Sequence, residues 1–174
     1  MNSAEQQGTR RIGKWMMFSA WLLGFAMLLL YFNYLLDKEQ NPNQSVYSRI
    51  DESGQTEVLL KRNRYGHYVS NGEINGKTVQ FMLDTGATDV AIPDKLADQL
   101  SLNRGAAKRY NTANGMVTAY STMLDSVAIG PIVIPNVRAS INPGLKGNEI
   151  LLGMSVLKRI EFTQRGDTLI LRAP

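Results

Sequence analysis

Val79-Gln80-Phe81-Met82-Leu83-Asp84-Thr85-Gly86-Ala87-Thr88 is the stretch on which the reading of this chain turns. A hydrophobic strand carries an aspartate into a tight turn containing glycine, and a second apolar run, Val90-Ala91-Ile92, leaves it. A purely structural turn, with Asp84 bonding its own backbone, is the plainest account of such a tripeptide. The alternative is chemical: a carboxylate held at the end of a buried strand is placed to act as an acid or base.

Outward from this stretch the chain reads as short strands divided by turn signals. Upstream, Glu57-Val58-Leu59-Leu60 forms one strand, and residues 67–74 and 77–83 flank Asn75-Gly76. Asn-Gly predicts a two-residue hairpin, because both residues accept positive φ. Downstream, Pro93 to Leu100 reads as a short helix with Asp94 in its first turn. A second hairpin follows, with 107–112 and 116–124 flanking Ala113-Asn114-Gly115. Strands at 126–129, 132–141 and 150–152 come next, then helical turns over 154–159 and strands at 160–164 and 168–172 around Arg165-Gly166-Asp167. Many short strands with one or two short helices predict an all-β barrel or sandwich.

Composition narrows the chemistry. The 174 residues contain no cysteine, which excludes a disulfide framework, a thiol nucleophile and Cys-ligated metal. His67 is the single histidine, so neither a multi-histidine metal site nor a Ser-His-Asp triad is supported. No metal and no cofactor is expected. The formal charge of +4 is spread thinly, in pairs such as Lys61-Arg62, Lys108-Arg109 and Lys158-Arg159. Nucleic-acid binding needs a concentrated basic face and is not expected. Carboxylates remain as the candidates for catalysis.

Residues 15–36 are of another kind. Met16 to Phe32 carries no charge, and Asn33 is the strongly polar residue of the longer segment. About 20 helical residues, at about 1.5 Å each, cross a hydrocarbon core of about 30 Å. Trp15, Trp21, Tyr31 and Tyr34 lie toward the two ends, where amphipathic rings favour the headgroup level. A cleaved signal peptide would be shorter and end in a small-x-small site, whereas Asp37-Lys38-Glu39-Gln40-Asn41-Pro42 follows here. A buried core helix would show a polar stripe. An uncleaved single-pass anchor in the cell (inner) membrane is therefore expected. Arg10, Arg11 and Lys14 precede it, placing residues 1–14 in the cytoplasm and the domain outside, periplasmic in a Gram-negative cell. Residues 37–55, polar and aperiodic, read as a linker, and 56–174 as the functional domain.

The motif resembles the active site of the aspartic proteases, two hydrophobic residues followed by Asp-Thr-Gly-Ala. The order of later elements is similar to the retropepsin-like class, in particular its bacterial membrane-anchored single-domain members. In that class a glycine-tipped hairpin follows the motif as a flap, the position held here by Asn114, Gly115 and Met116. Two apolar residues and a glycine then precede a short helix, as do Leu151, Leu152 and Gly153. The resemblance covers about 56–172. It implies an acid-protease barrel with one lobe per chain, Asp84 as catalytic residue, and Thr85, Gly86 and Ala87 as its loop. Thr85 would bond across to a partner loop, and Ala87 would keep the wall beside it small. The viral pattern has Arg then Asn after the second glycine, where Met154-Ser155 stands here, so the dimer contacts should differ. The implied reaction needs two aspartates, and the chain has no second Asp-Thr-Gly or Asp-Ser-Gly. The resemblance thus implies a homodimer acting on peptide substrates. The competing reading is a non-catalytic peptide-binding or scaffold module that uses the same cleft and flap.

Overall fold

The structure, a computed structural model, describes residues 3–52, 54–112 and 115–173, without the side chains of 3–12 and 110–112. It divides into two units, Met1–Glu39 and Gln40–Pro174. The first consists of helix α1, Ser3–Gln40, which extends one residue into the second. Gly13–Gln40 is long and apolar enough to cross a membrane, and its apolar window buries nothing within the protein. Trp21 is 75% exposed and Leu30 69%, which a soluble core helix would not tolerate. The hydroxyl of Ser19 donates to the Trp15 carbonyl at 2.9 Å, satisfying itself within the helix.

The second unit is almost entirely β. Its strands are β1 (Tyr47–Ile50), β2 (Thr56–Lys61), β3 (Val69–Ile74), β4 (Lys77–Leu83), β5 (Val90–Pro93) and β6 (Ala107–Thr112). They continue as β7 (Gly115–Ile129), β8 (Ile132–Asn142), β9 (Glu149–Leu152), β10 (Glu161–Arg165) and β11 (Thr168–Arg172). Two short helices, α2 (Asp94–Gln99) and α3 (Met154–Leu157), interrupt them. The expected all-β architecture is what the chain forms. β7 is one strand through Asp125 rather than two.

A seven-stranded sheet runs β3-β4-β9-β5-β8-β7-β6, and a further β3–β7 pairing closes it on itself. At that seam Ile74 lies opposite Val127 and Glu73 opposite Ala128. Gly72 makes the closure possible: a Cβ there would stand 2.7 Å from the Phe81 ring and run into the Ala128 carbonyl. Phe81, Ile92, Leu124, Ile141, Ile150 and Leu152 fill the interior, each fully or almost fully buried. Asn75 and Gly76 both take positive φ, 51° and 75°, in the predicted hairpin turn between β3 and β4.

The second sheet has the order β1-β2-β11-β10. It gathers the two ends of the unit and includes residues that the sequence reading placed in a linker. Asn43 is the reason those residues pack. Its side chain donates to the carbonyls of Lys61 (2.9 Å) and Val69 (2.7 Å) and accepts from the Lys61 amide (2.7 Å). Asn41 accepts from the Asn43 amide at 3.0 Å and donates to Asn71 at 2.9 Å. Both asparagines are only 4% exposed, so their polar groups are satisfied by protein rather than water. Beside them Glu57, 1% exposed, accepts from Arg49 at 2.8 Å and from Arg172 at 2.9 Å, tying β1, β2 and β11 together. Those bonds, Arg49 first, hold its carboxyl below the usual glutamate range against the opposing effect of burial.

Candidate active site

β4 delivers Asp84 to the rim of the barrel interior. β9 runs parallel beside it, with Met82 opposite Leu151 and Leu83 opposite Leu152. The strand register continues one step further through the Asp84 amide, which donates to the Leu152 carbonyl at 3.2 Å. The chain then turns sharply. The Ala87 amide returns to the Asp84 carbonyl at 3.2 Å, and the Gly86 amide donates to the Asp84 carboxylate (Oδ1) at 2.8 Å. Asp84 is half-buried while Thr85 and Gly86, the tip of the loop, are exposed. A donor on one oxygen fixes its rotamer and leaves the other oxygen for a ligand.

The loop is held from its far side by α3. The first free amides of that helix, Met154 and Ser155, donate to the carbonyls of Ala87 (2.8 Å) and Thr88 (3.0 Å). Helix-start amides have no partner within their own helix, and loop carbonyls have none within the loop, so each satisfies the other. Gly153 is the residue that permits this approach. A Cβ on it would lie 2.6 Å from the Ala87 carbonyl and would collide with that of Asp89. The Ser155 hydroxyl completes the brace, accepting from the Val90 amide at 3.1 Å and donating to the Arg138 carbonyl at 2.8 Å.

Of the residues singled out from sequence, Asp84, Thr85, Gly86 and Ala87 are therefore brought together with Leu151, Leu152 and Gly153. The hairpin residues Gly115 and Met116 open β7, paired with Thr112 and Asn111. Met116 is 66% exposed there. Asn114 lies outside the described residues.

Sequence reasoning did not single out Asp89. Its side chain is 14% exposed and pairs with Arg138 of β8 at 3.3 Å, directly after the loop. A cavity of about 830 Å³ opens next to this pair, lined among others by Thr88, Asp89, Lys108, Arg109, Asp125 and Arg138. No local signal joins Asp89 to an arginine so distant in the chain. Ser155 was missed for the same reason: its brace spans β5 and β8.

A family model described as "gag-polyprotein putative aspartyl protease" matches residues 70–159, from β3 through α3. The crystal structure of a retropepsin-like aspartic protease from Rickettsia conorii is similar, with 31% identity and a TM-score of 0.55. The match covers 74% of this chain and 95% of that one. An uncharacterised protein of Sinorhizobium sp., from the cobV 5' region, is 36% identical over 126 residues, 70% of this chain and 54% of its own length. An uncharacterised protein of Rickettsia prowazekii is 37% identical over 120 residues, 66% of this chain and 51% of its own. The chain thus spans about half the length of these curated relatives.

Proposed function

This chain belongs to the retropepsin-like aspartic proteases, and we propose that it is a membrane-anchored endopeptidase whose catalytic dyad is Asp84 from each of two copies. The observation that carries this reading is the Asp84 loop itself, oriented by the Gly86 amide and braced by α3, and present once per chain. Two like carboxylates brought close cannot both ionise, so one proton is shared between them. The ionised member takes a proton from a water as its oxygen adds to the scissile carbonyl carbon. The protonated member donates to the carbonyl oxygen, and the amine leaves with a proton as the carbon–nitrogen bond breaks. Peptide hydrolysis by this route needs only the carboxylates and a positioned water.

In this reading Thr85 bonds across to the partner's loop, Ala87 keeps the adjacent wall small, and Asn114, Gly115 and Met116 cover the substrate. Leu151, Leu152 and Gly153 support the loop from behind. Residues 15–36 anchor the chain in the cell membrane, residues 1–14 remain in the cytoplasm, and the protease domain faces the extracytoplasmic side. A phosphatase fused after Leu36 would be active in intact cells under this topology and inactive under the opposite one.

Asp84→Asn tests the chemistry. The oxygen-for-nitrogen replacement keeps the side-chain shape, so the fold should persist while cleavage of a peptide library falls by at least about a hundredfold. Undiminished cleavage by this variant would refute the enzyme reading. Undetectable cleavage by the parent, with peptides still bound, would favour the peptide-binding module.

A further inference from the structure

The four-stranded sheet, the terminal sheet of the second unit, carries opposite charge at its two ends. β2 runs from Thr56 to Lys61, and β11 lies antiparallel to it, with Thr168 opposite Lys61 and Arg172 opposite Glu57. β10 in turn sets Arg165 opposite Thr168 and Glu161 opposite Arg172. One end of the sheet therefore gathers Lys61, Arg62, Arg64 and Arg165 about Asp167, all exposed, with Arg62 paired to Asp167. The other end gathers Asp51, Glu52, Glu57 and Glu161 about Arg49 and Arg172. Cations exceed acids at the first end, and acids exceed cations at the second.

The cationic end is the one at which the chain arrives from residues 15–36. Asn63 donates to the Gln40 carbonyl at 3.0 Å, and its side-chain oxygen accepts from the amides of Tyr65 (3.0 Å) and His67 (2.9 Å). Residues 63–67 are thereby folded into a loop fastened to Gln40. Between Leu36 and Gln40 stand Asp37, Lys38 and Glu39, whose net negative charge is too small to reverse that of the cationic end. Four residue steps cover about 6 Å as helix and at most about 14 Å when extended. The headgroup layer is about 5–7 Å deep on each side of the hydrocarbon core. Gln40 and the loop fastened to it are thus held within or close above that layer.

The loop surface suits this position. Tyr65 is 59% exposed, and the Arg64 guanidinium lies over its ring, 5.1 Å from the centroid. An amphipathic ring favours the headgroup level, and a guanidinium engages phosphate oxygens through paired N–H donors. We propose that residues 62–67, with Lys61 and Arg165 beside them, form a membrane-surface contact that binds the headgroups of anionic phospholipids. The proposal rests on the reading of residues 15–36 as a membrane span, and adds a second attachment to it. Each cation gains little alone, but the span already keeps the loop at high effective concentration beside the lipid. The acidic end of the sheet is repelled by the same surface, so one end of the domain alone suits the bilayer.

The chain has no cysteine, and Trp15 and Trp21 are its two tryptophans, so the surface and the span can be followed separately. His67→Cys carries an environment-sensitive fluorophore on the loop, and Glu52→Cys carries the same one at the acidic end. The full-length variants are placed in nanodiscs of phosphatidylcholine, alone or mixed with phosphatidylglycerol, with nitroxide quenchers on headgroups or acyl chains. Headgroup quenching of the His67→Cys probe should be at least about twofold stronger in the anionic discs, whereas the Glu52→Cys probe should not respond. About 0.5 M salt, which screens charge over about 4 Å, should remove the difference. Arg64→Glu combined with Arg165→Glu should also remove it without shifting the melting temperature, because both side chains are exposed. Equal quenching of the His67→Cys probe in both discs, with the tryptophans quenched by lipid, would overturn the surface contact and leave the span standing. Tryptophans untouched by the lipid quenchers would remove the span, and the proposal with it.

Discussion

The closed sheet and the open one are held together by different forces. In the seven-stranded sheet the strands return on themselves, and the Asp84 loop is fixed by apolar packing and backbone bonds, with Gly72 and Gly153 as the points of closest approach. In the four-stranded sheet both edge strands pair on one side only among the described residues, and the polar groups of Asn41, Asn43, Glu57 and Arg172 supply the ties. A pre-formed loop costs nothing to order when substrate arrives, which suits a catalytic half-site. An open edge leaves unsatisfied groups available for a partner. One chain thus separates the part that must stay rigid from the part that remains unfinished.

Substitutions can break that contrast, beginning with the rigid part. Gly153→Ala forces a Cβ into two backbone carbonyls that cannot move without dragging the loop. It should cost about 3 kcal/mol or more and abolish cleavage even below the melting temperature, as thermal unfolding and peptide assays on the full chain would show. Asn43→Ala strands the Lys61 amide and the carbonyls of Lys61 and Val69, where the terminal sheet meets β3. A loss of about 2 kcal/mol is expected, with activity per folded chain retained. Equal losses of activity in both variants would mean that the two sheets are not separable in function.

Glu57 sharpens the comparison through pH. Its carboxyl ionises at lower pH in the folded chain than in the unfolded one. Its stabilising contribution is therefore complete above the unfolded value of about 4.3 and is lost as pH falls through the folded value. Glu57→Gln should flatten the dependence of melting temperature on pH below about 4.3. An unchanged slope would show that the Arg49 and Arg172 contacts do not bias its ionisation. The smallest effect is expected at the hairpin turn, where Gly76→Ala at φ 75° should cost about 1 kcal/mol without changing cleavage.

What could be read from sequence follows the same division. The β4–loop–β9 unit was legible because its apolar strands, its glycines and its aspartate are contiguous or appear in a recognisable order. Asn75-Gly76 announced its turn through backbone chemistry alone. β1 was illegible, since all four of its residues are exposed and no apolar alternation marks it. It is a strand because Arg49 reaches Glu57 and because Asn43 anchors the segment before it. The Asp89–Arg138 pair and the Ser155 brace were equally hidden, because each joins residues that only the folded barrel makes neighbours.

The asparagine clasp has a bearing on release. Any protease that frees this domain intact has to cut on the N-terminal side of Gln40. A cleavage nearer Thr56 would carry away Asn41, Asn43 and β1, uncap the Lys61 and Val69 carbonyls, and leave β2 as a raw edge. The shed product would then lack the ties that hold its terminal sheet to the barrel.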